Sequence, residues 1–144
     1  MLIGEYKSKI GAKKRVIIPK AFRNELGDEL ILTRGYEHSL IIVNKQQWNN
    51  IAKDIINAPF TSKTVRDTTR FLVGSAVEIN PDNQGRFVIP NSLFEYANLN
   101  KQCAFIGLIN WIEIWDVNEW EERLNYLNKN ADVLADELSK MRNE

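Results

Sequence analysis

Apolar positions along this chain follow strand and helix periods in turn, and the whole series occurs twice. LILTRGYEHSLIIV (30–43) places two apolar runs around Arg34-Gly35-Tyr36-Glu37-His38, which predicts a pair of strands. CAFIGLINWIEIW (103–115) predicts a second pair around Asn110. Upstream of each lies an R-x-x-I-P run, Arg15–Pro19 and Arg86–Pro90. Period-two alternation puts Arg86 and Val88 on one face and Phe87 and Ile89 on the other. Each Pro opens a short helix, where its missing N–H costs nothing. Each short helix ends near Gly27 or Asn98, residues that tolerate a left-handed cap.

A longer helix follows each strand pair. NKQQWNNI (44–51) and DVNEWEERL (116–124) set Trp48 and Trp120 in matching places. Between the halves, FTSKTVRDTTRFLVGS (60–75) predicts a connecting helix, capped by Thr61 or Ser62, with Val65, Leu72 and Phe71 on its apolar side. The last helix carries Trp120, Leu124, Leu127, Ala131, Leu134, Leu138 and Met141 at alternating steps of four and three. That heptad seam suits packing on its own domain, a second subunit or a partner, with Leu127, Leu134 and Leu138 as contact candidates. Asn125, Asn128 and Asn130 weaken the helix near its middle. The predicted organisation is a first unit over 5–47, a connecting helix over 60–75, a second unit over 76–119 and a C-terminal helix over 120–144.

The two copies differ most at their turns. DNQGR (82–86) offers Asp82 as acceptor for backbone N–H groups two residues on, and Gly85 for a positive φ. Arg86 then stands at the loop mouth, either paired with Asp82 or presented outward. The first copy reads GAKKR (11–15). It loses the Asp, and with it a turn bond worth roughly 0.5–1.5 kcal/mol net. A Lys at position 14 resists the left-handed conformation, so Gly11 is expected to supply the flexible position instead. The loop gains charge from Lys13, Lys14 and Arg15.

The formal net charge is zero, but it is unevenly spread. Residues 1–60 carry ten Lys/Arg and six Asp/Glu, whereas residues 111–144 carry four and nine. The densest basic stretch, 7–23, contains no acid, so a basic end and an acidic end imply different tasks. No apolar run reaches the ~20 residues of a membrane span. The opening MLIGEYKSKIGAKKR lacks the apolar core of a secretory signal. Cys103 is the only cysteine, which fits a reducing cytoplasm and a small apolar core residue.

Enzyme chemistry has little to work with. One His (His38) and one Cys cannot complete a zinc site. No GxxxxGK[ST] or GxGxxG phosphate cradle occurs. No catalytic residue, metal or cofactor is expected. The arginine-bearing turns remain, and a guanidinium fork can donate two hydrogen bonds to phosphate or guanine.

The doubled turn with R-x-x-I-P, the opening Met1-Leu2-Ile3-Gly4-Glu5-Tyr6, the IPxxFR of 18–23, the TRG of 33–35 and the IEIW-x-x-x-EW of 112–120 together resemble the MraZ family, over about residues 1–124. The resemblance implies a mainly β, α+β fold: a swapped-hairpin, AbrB-like or double-psi-type β-barrel built from two pseudo-repeats. It implies a homo-oligomeric ring and no membrane. It implies a cytoplasmic, nucleoid-associated regulator that binds double-stranded DNA at direct repeats, usually to repress a cell-division and cell-wall operon. The expected DNA contacts are Arg15 with Lys13 and Lys14, and Arg86 with Gln84, while Asp82 and Gly85 shape the second turn. Three positions depart from the pattern: Gly11, Lys14, and Phe94 where the first unit has Arg23. The rival reading is an antitoxin-like module whose C-terminal helix binds a protein partner.

Overall fold

The computed structural model describes residues 1–143; Glu144, the end of the tail expected over 120–144, lies outside the described residues. The first half runs β1 (Ile3–Lys9), β2 (Arg15–Ile17), α1 (Lys20–Leu26), β3 (Leu30–Arg34), β4 (Leu40–Asn44), α2 (Lys45–Ile56) and α3 (Lys63–Leu72). The second half repeats the order: β5 (Val77–Ile79), β6 (Arg86–Val88), α4 (Asn91–Tyr96), β7 (Gln102–Leu108), β8 (Ile112–Asp116), α5 (Val117–Lys129) and α6 (Ala131–Arg142). The fold is α+β.

Six strands form one antiparallel sheet in the order β1-β7-β8-β4-β3-β5. The order records an exchange. β1 pairs with β7 of the second half, and β5 pairs with β3 of the first. Each half therefore completes the other's sheet, and both halves share one core. Gly107 permits the closest part of this exchange, because a Cβ there would stand 2.6 Å from the Ile3 backbone nitrogen.

The sheet is open, with β1 and β5 as its edges, so its ladder does not close into the expected barrel. The reason lies in β2 and β6. They leave the sheet and pair only with each other, as a separate antiparallel ribbon. Their inward residues, Val16 and Phe87, join Ile18 and Ile89 against Leu32, Ile42, Phe105 and Ile114 of the sheet. Burying each such side chain stabilises the fold by about 1.5–3 kcal/mol. On the opposite sheet face, Trp120 of α5 packs with Ala104, Ile106 and Trp115.

Helix starts follow their caps. Asn44 accepts from the Gln47 N–H, Ser62 from the Val65 N–H, and Asp116 from the Asn118 and Glu119 N–H groups. Gly27 and Asn98 take positive φ (78° and 53°), as expected after the short helices. The single C-terminal helix expected from the heptad seam is instead two. Asn130, at φ −113° and ψ 14°, separates α5 from α6, and its side-chain amide donates to the Tyr126 carbonyl. A residue prone to bond its own backbone here ends one helix and begins another.

Candidate nucleic-acid interface

The β2–β6 ribbon sets the geometry. Arg15 pairs with Val88, Val16 with Phe87, and Ile17 with Arg86. Val16 and Phe87 point into the core, so Arg15, Ile17, Arg86 and Val88 share the outer face. The two arginines are diagonal neighbours on that face, a relation that spans roughly 7–8 Å on an antiparallel ladder. Ile17 and Val88 lie between them, 42% and 49% exposed. The two turns also brace each other. The Ile18 N–H donates to the Gly85 carbonyl (2.9 Å), and the Ile89 N–H donates to the Lys14 carbonyl (3.0 Å).

The second turn is built as its residues predict. The Asp82 carboxylate accepts from the Gln84 N–H (2.9 Å), the Arg86 N–H (3.0 Å) and Arg86 Nε (2.7 Å). The Arg86 backbone bond, then its side-chain bond, hold the Asp82 carboxyl below its usual range. Gly85 takes φ 81°. Arg86 is thus both paired to Asp82 and exposed at the loop mouth, and Gln84 is exposed at the turn.

The first turn corrects the expectation for Gly11. Gly11 is extended (φ −79°, ψ −179°), while Lys13 and Lys14 carry the positive φ values, 61° and 62°. Lys14 therefore occupies the conformation that Gly85 holds in the second turn. The closing backbone bond survives without the Asp: the Gly11 N–H donates to the Arg15 carbonyl at 2.8 Å, as the Asp82 N–H does to the Arg86 carbonyl at 3.1 Å. Arg15 is exposed, and among the described residues no carboxylate pairs with it. Lys13 is exposed beside it. Lys14 turns away, its ammonium donating to Asn91 Oδ1 of α4.

Residues from the short helices hold both turns, and these were not among the expected site residues. Arg23 of α1 donates from Nε to the Ile18 carbonyl (2.8 Å) and lies against Gly85. Phe94 of α4 lies under the Lys14 ammonium. The signal was present as two departures at one offset: Lys14 for Gly85 and Phe94 for Arg23, each 71 positions apart.

The seam candidates separate. Leu127 packs against the Trp115–Trp120 cluster, whereas Leu134 is half-buried and Leu138 is 51% exposed. His38 stacks on Tyr96 and its Nδ1 meets the Tyr96 carbonyl at 3.0 Å. Among the described residues no group of three or more His, Cys, Asp and Glu is placed to hold a metal ion. No described helix is long and apolar enough to cross a membrane.

A two-half α+β protein with exchanged strands and a ribbon that displays two arginines is the class this geometry defines. A family model described as "MraZ protein, putative antitoxin-like" matches twice, over residues 1–71 and 72–140. The chain belongs to the MraZ family. Among similar proteins, "Transcriptional regulator MraZ" of Thermoanaerobacter pseudethanolicus is 42% identical over 98% of this chain and 99% of the relative. The protein of the same name from Acetivibrio thermocellus is 39% identical over 96% and 97%. That from Clostridium tetani is 40% identical over 98% and 99%.

Proposed function

We propose that this chain is a transcriptional regulator that binds double-stranded DNA with the outer face of the β2–β6 ribbon. The observation that carries the reading is the placement of Arg15 and Arg86 on one exposed ribbon face. A major groove admits a two-stranded ribbon, and an arginine fork suits the paired acceptors of guanine. Ile17 and Val88, exposed between the arginines, suit contact with thymine methyl groups. Lys13 supplies attraction to phosphate, which positions the protein without reading sequence. A homo-oligomer, in ring form, repeats this face at a fixed interval and so matches direct repeats. The target is the repeat array before a cell-division and cell-wall operon, and binding there represses it in the cytoplasm, on the nucleoid. The relatives' shared name supports the regulatory part.

Fluorescence anisotropy on the chain's own upstream DNA tests the reading. Arg15→Ala and Arg86→Ala are each expected to weaken binding at matched salt without loss of fold. Unchanged titrations for both variants overturn it.

A further inference from the structure

The two flanks of the ribbon occupy equivalent places in the pseudo-repeat, yet they carry opposite charge. On the first-turn side β1 meets β7, with Ser8 paired to Cys103 and Lys9 to Gln102. The Ile10 N–H then donates to the Lys101 carbonyl at 2.8 Å, just before the turn opens at Gly11. On the second-turn side β5 meets β3, with Ile79 paired to Leu30. Ser8 and Ile79 are 71 positions apart, the same offset as the two turns. One step along the ladder, Asn80 and Glu29 stand where the first flank has Lys9 and Gln102. A further step sets Asp28 in the place of Lys101. All of these side chains are exposed.

One flank thus presents two lysines and the other two carboxylates. Lys45 lies 3.9 Å from Glu29, and Asp28 has no such neighbour among the described residues. Among the described residues no carboxylate pairs with Lys9 or Lys101 either, whereas Lys7 is held by Glu121 at 2.9 Å. Lys9, Lys101 and Asn118 line a cleft of about 490 Å3 between the first flank and the start of α5. Asp116 is the one acid in its lining. That residue is buried, and its carboxylate accepts from the Asn118 and Glu119 N–H groups. Two ammonium groups against one amide-bound carboxylate leave the cleft a net cation. The turns extend the contrast: GAKKR carries three cations, while in DNQGR the one arginine is paired with Asp82.

We propose that the DNA backbone leaves the ribbon over the first-turn flank, where Lys9 and Lys101 hold one of its phosphates, and that Asp28 and Glu29 repel it on the other flank. A cleft lined by one sign of charge concentrates the opposite charge, and contacts of this kind position a protein without reading sequence. The chain therefore lies on the duplex in one direction, with its lysine flank over the continuing DNA and its Asp82–Arg86 turn at the site's end. Direct repeats, unlike inverted ones, keep that direction the same for every copy. The inference rests on the ribbon reading and names residues outside the ribbon.

Salt titrations of the full chain, by anisotropy on its upstream DNA and on a random duplex, test the flank. The double variant Lys9→Gln with Lys101→Gln is expected to lower the slope of log affinity against log salt by about 0.9 on both DNAs, the loss of one phosphate contact. The ratio of the two affinities should not change. Lys53→Gln, at an exposed lysine of α2, should leave the slope as it is. On a single-repeat duplex, lengthening at one end only should strengthen wild-type binding, and the double variant should not respond. An unchanged slope in the double variant, an equal drop with Lys53→Gln, or equal gains from lengthening either end overturns the proposal. Inorganic phosphate alone, followed by the lysine side-chain NMR signals, should saturate neither Lys9 nor Lys101; saturation would assign the cleft to a free anion and overturn it too. Arg15→Ala and Arg86→Ala separate the two readings. If neither weakens binding, the ribbon fails; if they weaken it and the flank variant keeps its slope, only the flank fails.

Discussion

Lys14 lies over the ring of Phe94, its ammonium nitrogen 5.4 Å from the ring centroid. The equivalent pair, again one residue from each half, is Gly85 and Arg23, which also lie against each other. The two main departures of one copy from the other therefore meet in space. Where the second turn has glycine covered by an arginine, the first has a lysine covering an aromatic ring. A cation lies between turn and short helix in both cases, but it comes from opposite partners. The Asn91 amide oxygen adds a second hold on Lys14.

This pairing predicts coupling. Lys14→Ala and Phe94→Ala are each expected to destabilise the fold, and the double variant should lose less than the sum. The coupling should be about 0.5–1 kcal/mol, the size of a partly exposed cation–π contact. Urea denaturation of the four proteins in the cycle measures it. Strict additivity would show that the contact is incidental.

Gly85 should resist replacement for two separable reasons. Its φ of 81° disfavours any side chain, and a Cβ there would stand 2.5 Å from Arg23 Nε. Gly85→Ala is expected to cost about 1–3 kcal/mol. Adding Arg23→Ala removes the collision but not the backbone strain. The double variant should therefore recover only part of the loss, as read by the urea midpoint.

Much of this was legible because turns and caps are local. Asp82, Gly85 and Ser62 act on residues within four positions, and their types state their task; the caps at Asn44 and Asp116 are as local but came from the structure. The alternation of Arg86, Phe87, Val88 and Ile89 also sufficed to put the arginine outside. The exchange of β1 and β5 was not legible, since a strand's pattern shows which face is buried but not which neighbour it joins. The positive φ at Lys14 was hidden for a similar reason: contacts from Asn91 and Phe94, remote in the chain, override the local preference. Asn130 was seen as a weak point, yet the heptad spacing ran through it undisturbed.

Acid should loosen the second turn and spare the first. Hydrogen bonds from the Arg86 backbone and side chain depress the Asp82 pKa. Its contribution is thus present above the unfolded value of about 3.9 and is lost as pH falls through the lower folded value. Carboxyl carbon shifts from NMR should place the Asp82 midpoint below that of an unpaired aspartate. The Arg86 Nε–H signal should move with the same midpoint, and the Arg15 Nε–H signal should not.

Cys103 should be silent toward thiol reagents in the folded chain. It is fully buried in the main core, and burial raises its thiol pKa to about 12. At pH 8 almost none is thiolate, and the little that forms lies out of reach. Labelling with a disulfide reagent is expected to be absent in buffer and stoichiometric in denaturant. Rapid labelling in buffer would show that the β7 region opens.

The two turns should differ in how they respond to salt. Lys13 is an exposed point charge on a turn without an acid, and its task in the proposed reading is phosphate attraction. Removing one phosphate contact lowers the slope of log affinity against log salt by about 0.9 on duplex DNA. Lys13→Ala is expected to show that drop and to weaken specific and random DNA alike. Arg86 is held by Asp82 in a fixed direction, which suits a base edge better than a phosphate. Arg86→Ala should therefore change the slope little, but narrow the gap between specific and random DNA by about 1–3 kcal/mol. Titrations of both variants at four salt concentrations, on both DNAs, provide the comparison. If Arg86→Ala weakens both DNAs equally and takes a unit from the slope, the second turn reads charge and not sequence.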